Sequence, residues 1–223
     1  MKVGVVAALT QELSPTFGAI ATAPKTVEGL RFHESASLVF VAAGVGSRPA
    51  ATAALLLADT FKPDALLSVG FCGAIVDDLA SADVLLGGTT AHPADPALLA
   101  LARAAAVKPR LGCVLTVPKV VVDAGEKKEL ARTSGALVID MEAEAVAVAA
   151  QARGLGFLAV KVVIDTPSAP LASTYAGCWT VARDLLLRPG SVMAMIYDAK
   201  RVRLAAERLR DFFVEFEKGL RSP

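Results

Sequence analysis

An α/β fold, built on one central, mainly parallel mixed sheet flanked by helices, is predicted by three features of this 223-residue chain. Short β-branched apolar runs recur along it, and helical stretches lie between many of them. The runs are also continuous rather than alternating, the pattern of strands covered on both faces.

The elements follow in order. KVGVVAA at 2–8 reads as a buried first strand. Its apolar run stops at Gln11 and Glu12 with no small-residue cleavage site behind it, which argues against a signal peptide. LVFVAAG at 38–44 is the next such run, and Arg48 to Phe61 reads as a helix with Pro49 in its first turn. ALLSVG at 65–70, DVLLGG at 83–88 and ALVID at 136–140 are further strands. Glu142 to Arg153 reads as a helix ending at Gly154, and FLAVKVVID at 157–165 as the last strand. Beyond it, Val192, Ile196, Ala199, Val202, Ala205, Leu209, Phe212 and Phe216 recur every three or four residues. That spacing predicts a long amphipathic C-terminal helix whose role is packing. No repeat, low-complexity tract or linker divides the sequence, so residues 1–223 are expected to form one domain.

Composition narrows the function classes. Lys+Arg at 23 against Asp+Glu at 22 leave a formal charge of +1, too little for a field that recruits nucleic acid or an anionic membrane. The hydrophobic fraction of 54% is high, yet much of it is alanine, and no uncharged apolar stretch reaches the ~18 residues of a membrane helix. A soluble protein with apolar surface buried in an oligomer is expected. Three cysteines, Cys72, Cys113 and Cys178, lie far apart without a CxxC, which suggests a reducing cytoplasm and neither a disulfide framework nor a zinc site. His33 and His92 have no Cys or His partner at ligand spacing, so no metal and no other cofactor is expected.

In parallel α/β sheets ligands gather beyond the carboxyl ends of strands. Four such places carry polar or glycine residues: AALTQELS with Glu12, AGVGSRPAA, SVGFCGAI, and the pair VIDMEAEAV and VVIDTPSAP, which end two strands in Glu142 and Asp165. Each also has a structural explanation. Glu12 fits a helix start, and Gly44, Gly46, Gly70 and Gly73 fit tight turns. Asp140, Glu142 and Glu144 fit the acidic N-terminus of a helix, and Asp165 fits a strand-ending turn. Cys72 fits a small core residue, with no histidine nearby in sequence to activate it. GVGSRPA lacks the third glycine of a dinucleotide fingerprint, and the following strand, ALLSVG, ends in GFCGA with no acid to hold a ribose.

Taken together, the order and contexts resemble the purine nucleoside phosphorylase and nucleosidase superfamily, in particular the methylthioadenosine/S-adenosylhomocysteine nucleosidases. The likeness runs from Met1 to about Asp165. VGVVAALTQEL is similar to the family's opening strand and acidic turn, and AGVGSRPAATAALLLADTFKPDALLSVGFCGAI to its Gly turn, helix and Gly-rich strand end. IDMEAEAVA is similar to its MEA ribose motif, and FLAVKVVID to its last core strand with a terminal Asp.

That resemblance implies a nucleoside phosphorylase-like fold and cleavage of the N-glycosidic bond of a purine nucleoside through an oxocarbenium-like transition state. It casts Asp165 as the residue serving the purine leaving group at N7, which requires a protonated carboxyl. Glu12 is cast as the ionised carboxylate that positions and activates water. Glu142 is the acid that bonds the ribose hydroxyls, and Met141 the residue that packs on the ribose. Ala8, Phe71, Gly73 and Val120 complete the implied substrate contacts. Family phosphorylases commonly hold phosphate with arginines and a serine in the Gly-rich turn. Here Phe71 stands at the serine position and no arginine lies near Glu12, which favours hydrolysis over phosphorolysis. Arg48, beside the Gly turn, and Lys161, where the family has Arg, are the remaining cations for a phosphate. Lys161, four residues before Asp165 and on its face by period-two spacing, is equally a partner for Asp165. The tail after Asp165, with LLSVGFCGAI and the EKKEL stretch, resembles the hopanoid-biosynthesis-associated branch, whose implied substrate is adenosylhopane. Trp179, Met193, Met195 and Tyr197 would suit such an apolar substrate, or a core or dimer interface. A homodimer acting on a small purine nucleoside is the implied assembly, and a non-catalytic nucleoside-binding protein of the same fold is the alternative of another class.

Overall fold

The computed structural model describes residues 1–170 and 191–221, with side chains in the latter stretch from Asp198 onward. Trp179 therefore lies outside the described residues, as do the side chains of Met193, Met195 and Tyr197.

Each predicted apolar run forms a strand. β1 (Val3–Ala7), β4 (Leu38–Ala42), β5 (Ala65–Ala74) and β10 (Gly156–Asp165) make the parallel centre in the order β4-β1-β5-β10. β6 (Val84–Gly87) runs antiparallel beside β10, and β9 (Val138–Asp140) pairs antiparallel with the end of β5, so the sheet is mixed. An edge hairpin, β2 (Ala23–Val27) and β3 (Leu30–Glu34), continues the sheet beyond β4. Two short strands, β7 (Arg110–Leu111) and β8 (Val114–Thr116), complete it against β6 and β9.

Continuous apolar strands require cover on both faces, and the helices supply it. On one face α2 (Ser47–Phe61) and α5 (Ala143–Ala152) pack Ala53, Leu57 and Val146 against Val6, Val39 and Leu66. Gly4 lets α2 come close, because a Cβ there would fall 2.3 Å from the Leu57 side chain. On the other face α1 (Thr10–Ala19), α3 (Pro96–Ala105) and α6 (Ser191–Arg221) bury Leu13, Leu98, Leu209, Phe212, Phe213 and Phe216 against Val5, Phe40 and Leu67. The apolar stripe of the C-terminal helix is thus a packing face from Ala205 onward, as its periodicity predicts. α4 (Ala124–Ser134), capped by Asp123, lies between β8 and β9 in the chain.

β5 and β10 are both ten residues long and run past the end of β1 at the carboxyl edge of the sheet. A register shift between Val163 and Asp165 sets Asp165 opposite Gly73. Such a bulge breaks the period-two alternation of the strand and re-aims the side chain that follows it.

Candidate active site

The carboxyl ends of β1, β5, β9 and β10 enclose a cleft of about 240 Å³, floored by strand termini and closed on one side by Val202 of α6. All eight residues singled out in the sequence line it: Ala8, Glu12, Phe71, Gly73, Val120, Met141, Glu142 and Asp165. Their chain separations of up to 157 residues disappear because each stands at or just beyond a strand end in one sheet.

Glu12 enters from the first turn of α1. Its Oε2 accepts the N–H of Leu9 at 2.8 Å, a helix-capping contact, and its Oε1 accepts the N–H of Phe71 on β5, also at 2.8 Å. The residue is only 3% exposed, so it is no solvated helix-start acid. Burial pushes its carboxyl up from an ordinary value of 4.5 to about 7. The two backbone N–H groups and Lys161 oppose that rise, and Glu142 adds to it. A carboxyl titrating near neutrality is suited to accept a proton from water.

Glu142 is the N-cap residue of α5 and is held by the Gly turn. Gly46 donates its N–H to Oε1 at 2.7 Å, and Ser47 Oγ donates to the carbonyl of Met141 at 3.0 Å. The backbone of Gly44 and Gly46, with φ of 97° and 103°, takes the left-handed region that favours glycine. The turn therefore presents an N–H to a carboxylate of its own chain, not to a dinucleotide pyrophosphate.

Asp165 lies at the end of β10, over Gly73. Its Oδ2 accepts from Nζ of Lys127, a fully buried lysine on α4. Burial raises the Asp165 carboxyl above the ordinary range; Lys127 opposes this most, then Arg201, while Asp198 adds to it. The direction is the one a proton donor needs.

The expected pairing of Lys161 with Asp165 is not found. Lys161 Nζ sits 2.7 Å from Asp140 Oδ2 and donates to Ser68 Oγ at 2.9 Å, while the register shift turns Asp165 toward Lys127. Burial pulls the Lys161 ammonium down, but Asp140, Glu142 and Glu12 outweigh it and hold its pKa above the usual value. Asp140 also accepts from Thr116 Oγ1 at 2.7 Å and from the N–H of Ala143 at 2.8 Å, so it caps α5. Glu144 lies 2.9 Å from His92 Nδ1, outside the cleft lining. Arg48 is exposed and also stands outside the lining, where Lys119 is the one cation among the described residues. Cys72 is a buried residue that also borders the cleft, and burial pushes its thiol well above its ordinary pKa. Lys127 has no signature in the sequence beyond its place in EKKEL.

This mainly parallel mixed sheet, whose strand ends gather Glu12, Asp140, Glu142 and Asp165 in one apolar-walled cleft, has the nucleoside phosphorylase-like fold. The solved 5′-methylthioadenosine/S-adenosylhomocysteine nucleosidase of S. pneumoniae superposes with a TM-score of 0.78 at 21% identity, covering 99% of this chain and 100% of that one. The futalosine hydrolase of Helicobacter pylori superposes with a TM-score of 0.74 at 16% identity, over 96% of this chain and 97% of that one. Residues 2–92 and 86–177 match the family model of the Phosphorylase superfamily, and the chain belongs to that superfamily. A 5′-methylthioadenosine/S-adenosylhomocysteine nucleosidase of Shewanella baltica is 29% identical over 97 residues. The match spans 41% of this chain and 41% of that relative's length. Among the described residues no helix is long and apolar enough to cross a membrane.

Proposed function

We propose that the protein is a nucleosidase that hydrolyses the N-glycosidic bond of an adenine nucleoside and releases adenine. One observation supports this above the others: two buried carboxyls with raised pKa, Glu12 and Asp165, line one cleft with Glu142 and Met141 between them in the chain. In this reading Glu142 accepts hydrogen bonds from the ribose hydroxyls and Met141 packs on the sugar. Ala8, Phe71, Gly73 and Val120 contact the nucleoside. Ionised Glu12 takes a proton from the attacking water, and Asp165 gives one to the purine as the C1′–N bond breaks. The negative charges of Glu12 and Glu142 also oppose positive charge developing on the sugar.

Hydrolysis is favoured over phosphorolysis because a phosphate beside Glu12 would meet a carboxylate. Lys119, the cation among the described lining residues, pairs with Glu126 at 3.6 Å. The substrate is read as methylthioadenosine, adenosylhomocysteine or an adenosylhopane-like lipid nucleoside. The apolar side chains of Val45, Val120 and Val202 in the cleft wall suit a thioether or a longer hydrocarbon at the 5′ position. A cytoplasmic homodimer is the form we assign; the free thiols of Cys72 and Cys113 among the described residues, and exposed valines at the cleft rim, Val45 at 52% and Val120 at 57%, support it.

The test is incubation with methylthioadenosine, adenosylhomocysteine, adenosine and inosine, with and without phosphate, followed by detection of free base. Adenine release independent of phosphate is expected. Release only with phosphate would make the protein a phosphorylase. Binding without release from these and from adenosylhopane would make it a nucleoside-binding protein.

A further inference from the structure

Lys127 is a lysine with no exposed surface on a helix whose other charges face water. Its neighbours Glu126 and Lys128 are exposed and pair at the surface, Glu126 with Lys119 and Lys128 with Asp77 at 3.3 Å. Lys127 instead turns inward and gives its ammonium to Asp165 Oδ2. An ammonium is withdrawn from water in this way only at considerable cost unless a counter-charge meets it. The counter-charge here is the carboxyl that lines the cleft. The two oxygens of that carboxyl are divided: Oδ2 faces Lys127, and Oδ1 lies over Gly73, where a Cβ would fall 2.7 Å away. Gly73 is part of the cleft wall, so Oδ1 is the oxygen set against that wall.

We propose that Lys127 is a positioning residue that acts through Asp165, holding Oδ2 and stabilising the carboxylate that remains after Oδ1 gives its proton to the departing base. This rests on the nucleosidase reading of the cleft. In the step concerned, the Oδ1–H bond breaks and an N–H bond forms on the purine, which receives the electron pair of the C1′–N bond. The oxygen of water bonds to C1′, and its proton passes to Glu12. The negative charge left on Asp165 lies against the Lys127 ammonium, and solvent returns a proton to Asp165 and removes one from Glu12 before the next turnover. Among the described residues, the other charged or titratable groups facing Asp165 are Asp198 and Arg201 from α6 and Cys72 from β5. Arg201 is engaged with Asp198 at 3.7 Å and donates to the carbonyl of Ala169. Among the described residues, Lys127 is a cation in direct contact with the Asp165 carboxyl.

The measurement is the pH profile of kcat/KM for adenine release by wild-type protein and by Lys127→Met, Lys127→Gln and Lys127→Arg. Removing the cation weakens Asp165 as an acid, so in Lys127→Met the alkaline limb moves up by about one pH unit or more. kcat at neutral pH falls on the order of tenfold or more while KM changes less. Lys127→Arg keeps the wild-type limb. Should Lys127→Met not fold, Lys127→Gln fills the same space with a neutral donor and reads the same limb. An aryl riboside whose phenolate leaves unprotonated separates the two roles. Loss confined to the purine nucleoside supports the proposal, whereas equal loss on both substrates, or an unmoved limb, reduces Lys127 to a strut for α4 and overturns it. A wild-type protein that releases no base from any adenine nucleoside refutes the nucleosidase reading instead.

Discussion

Gly70 lies against the carboxylate of Glu12: a Cβ on Gly70 would fall 2.4 Å from Oε1, and the residue's φ of +141° is one that L side chains rarely adopt. The strand leaves its side chain out at the point where an acid from α1 must reach the N–H of Phe71. Gly70→Ala should displace Glu12. A displacement of about 1 Å can cost on the order of 100-fold in rate, and the strained backbone about 1–3 kcal/mol in stability. Steady-state kinetics and urea denaturation read the two effects separately.

The three acids around Met141 and the two outside that run should separate by position. Glu12→Gln and Asp165→Asn should each lower kcat by about 10²- to 10⁴-fold, the range for loss of a general base or acid. Glu144→Gln, whose partner is His92 outside the cleft lining, should stay within a few-fold of wild type. A Glu144 variant as inactive as the Glu12 variant would show the assignment to be wrong.

Stability should fall as pH rises through neutrality. Burial raises the Glu12 carboxyl from 4.5 to about 7, so the folded chain holds that proton more tightly than the unfolded chain. The resulting stabilisation is complete below pH 4.5 and lost as pH passes 7; at 1.36 kcal/mol per unit it amounts to about 3 kcal/mol. Asp165, raised in the same direction, adds to the trend. Tm measured at pH 5.5 and pH 8 should be lower at the higher pH, and Glu12→Gln should reduce the difference. The same titration predicts that kcat/KM rises with pH through about 7 as Glu12 ionises.

Asp140→Asn should be strongly destabilising, as should Asp165→Asn, which strands the Lys127 ammonium. Asp140→Asn leaves the Lys161 ammonium, 1% exposed, without its direct counter-ion, at a cost of about 3–5 kcal/mol. Asp59→Asn, which removes an exposed pair with Arg153, should cost less than about 1 kcal/mol. Chemical denaturation of these variants beside wild type checks the contrast.

The sheet was legible in the chain because burial on both faces writes itself as unbroken apolar runs. Helix bounds were legible too: Arg48 to Phe61 was expected where Ser47–Phe61 forms, since Pro49 and the Gly turn mark its start locally. The edge hairpin was not. APKTV is mostly exposed and has no alternating apolar pattern, and its two-residue turn, Glu28 and Gly29, places both residues at positive φ without the usual Asn-Gly or Asp-Gly signal.

Residue types at strand ends picked out Glu12, Gly73, Glu142 and Asp165, the family resemblance added Ala8, Phe71, Met141 and Val120, and one mixed sheet brings all eight to a single cleft whatever lies between them in sequence. Which charge meets which was a matter for the fold alone. Period-two spacing put Lys161 beside Asp165, but a one-residue register shift after Val163 re-aims Asp165 toward Lys127, while Lys161, before the shift, meets Asp140. Alternation is a local property that a bulge interrupts. The partner of a buried charge, and the pKa it acquires, depend on which groups and how much water surround it in space, and no stretch of chain records that.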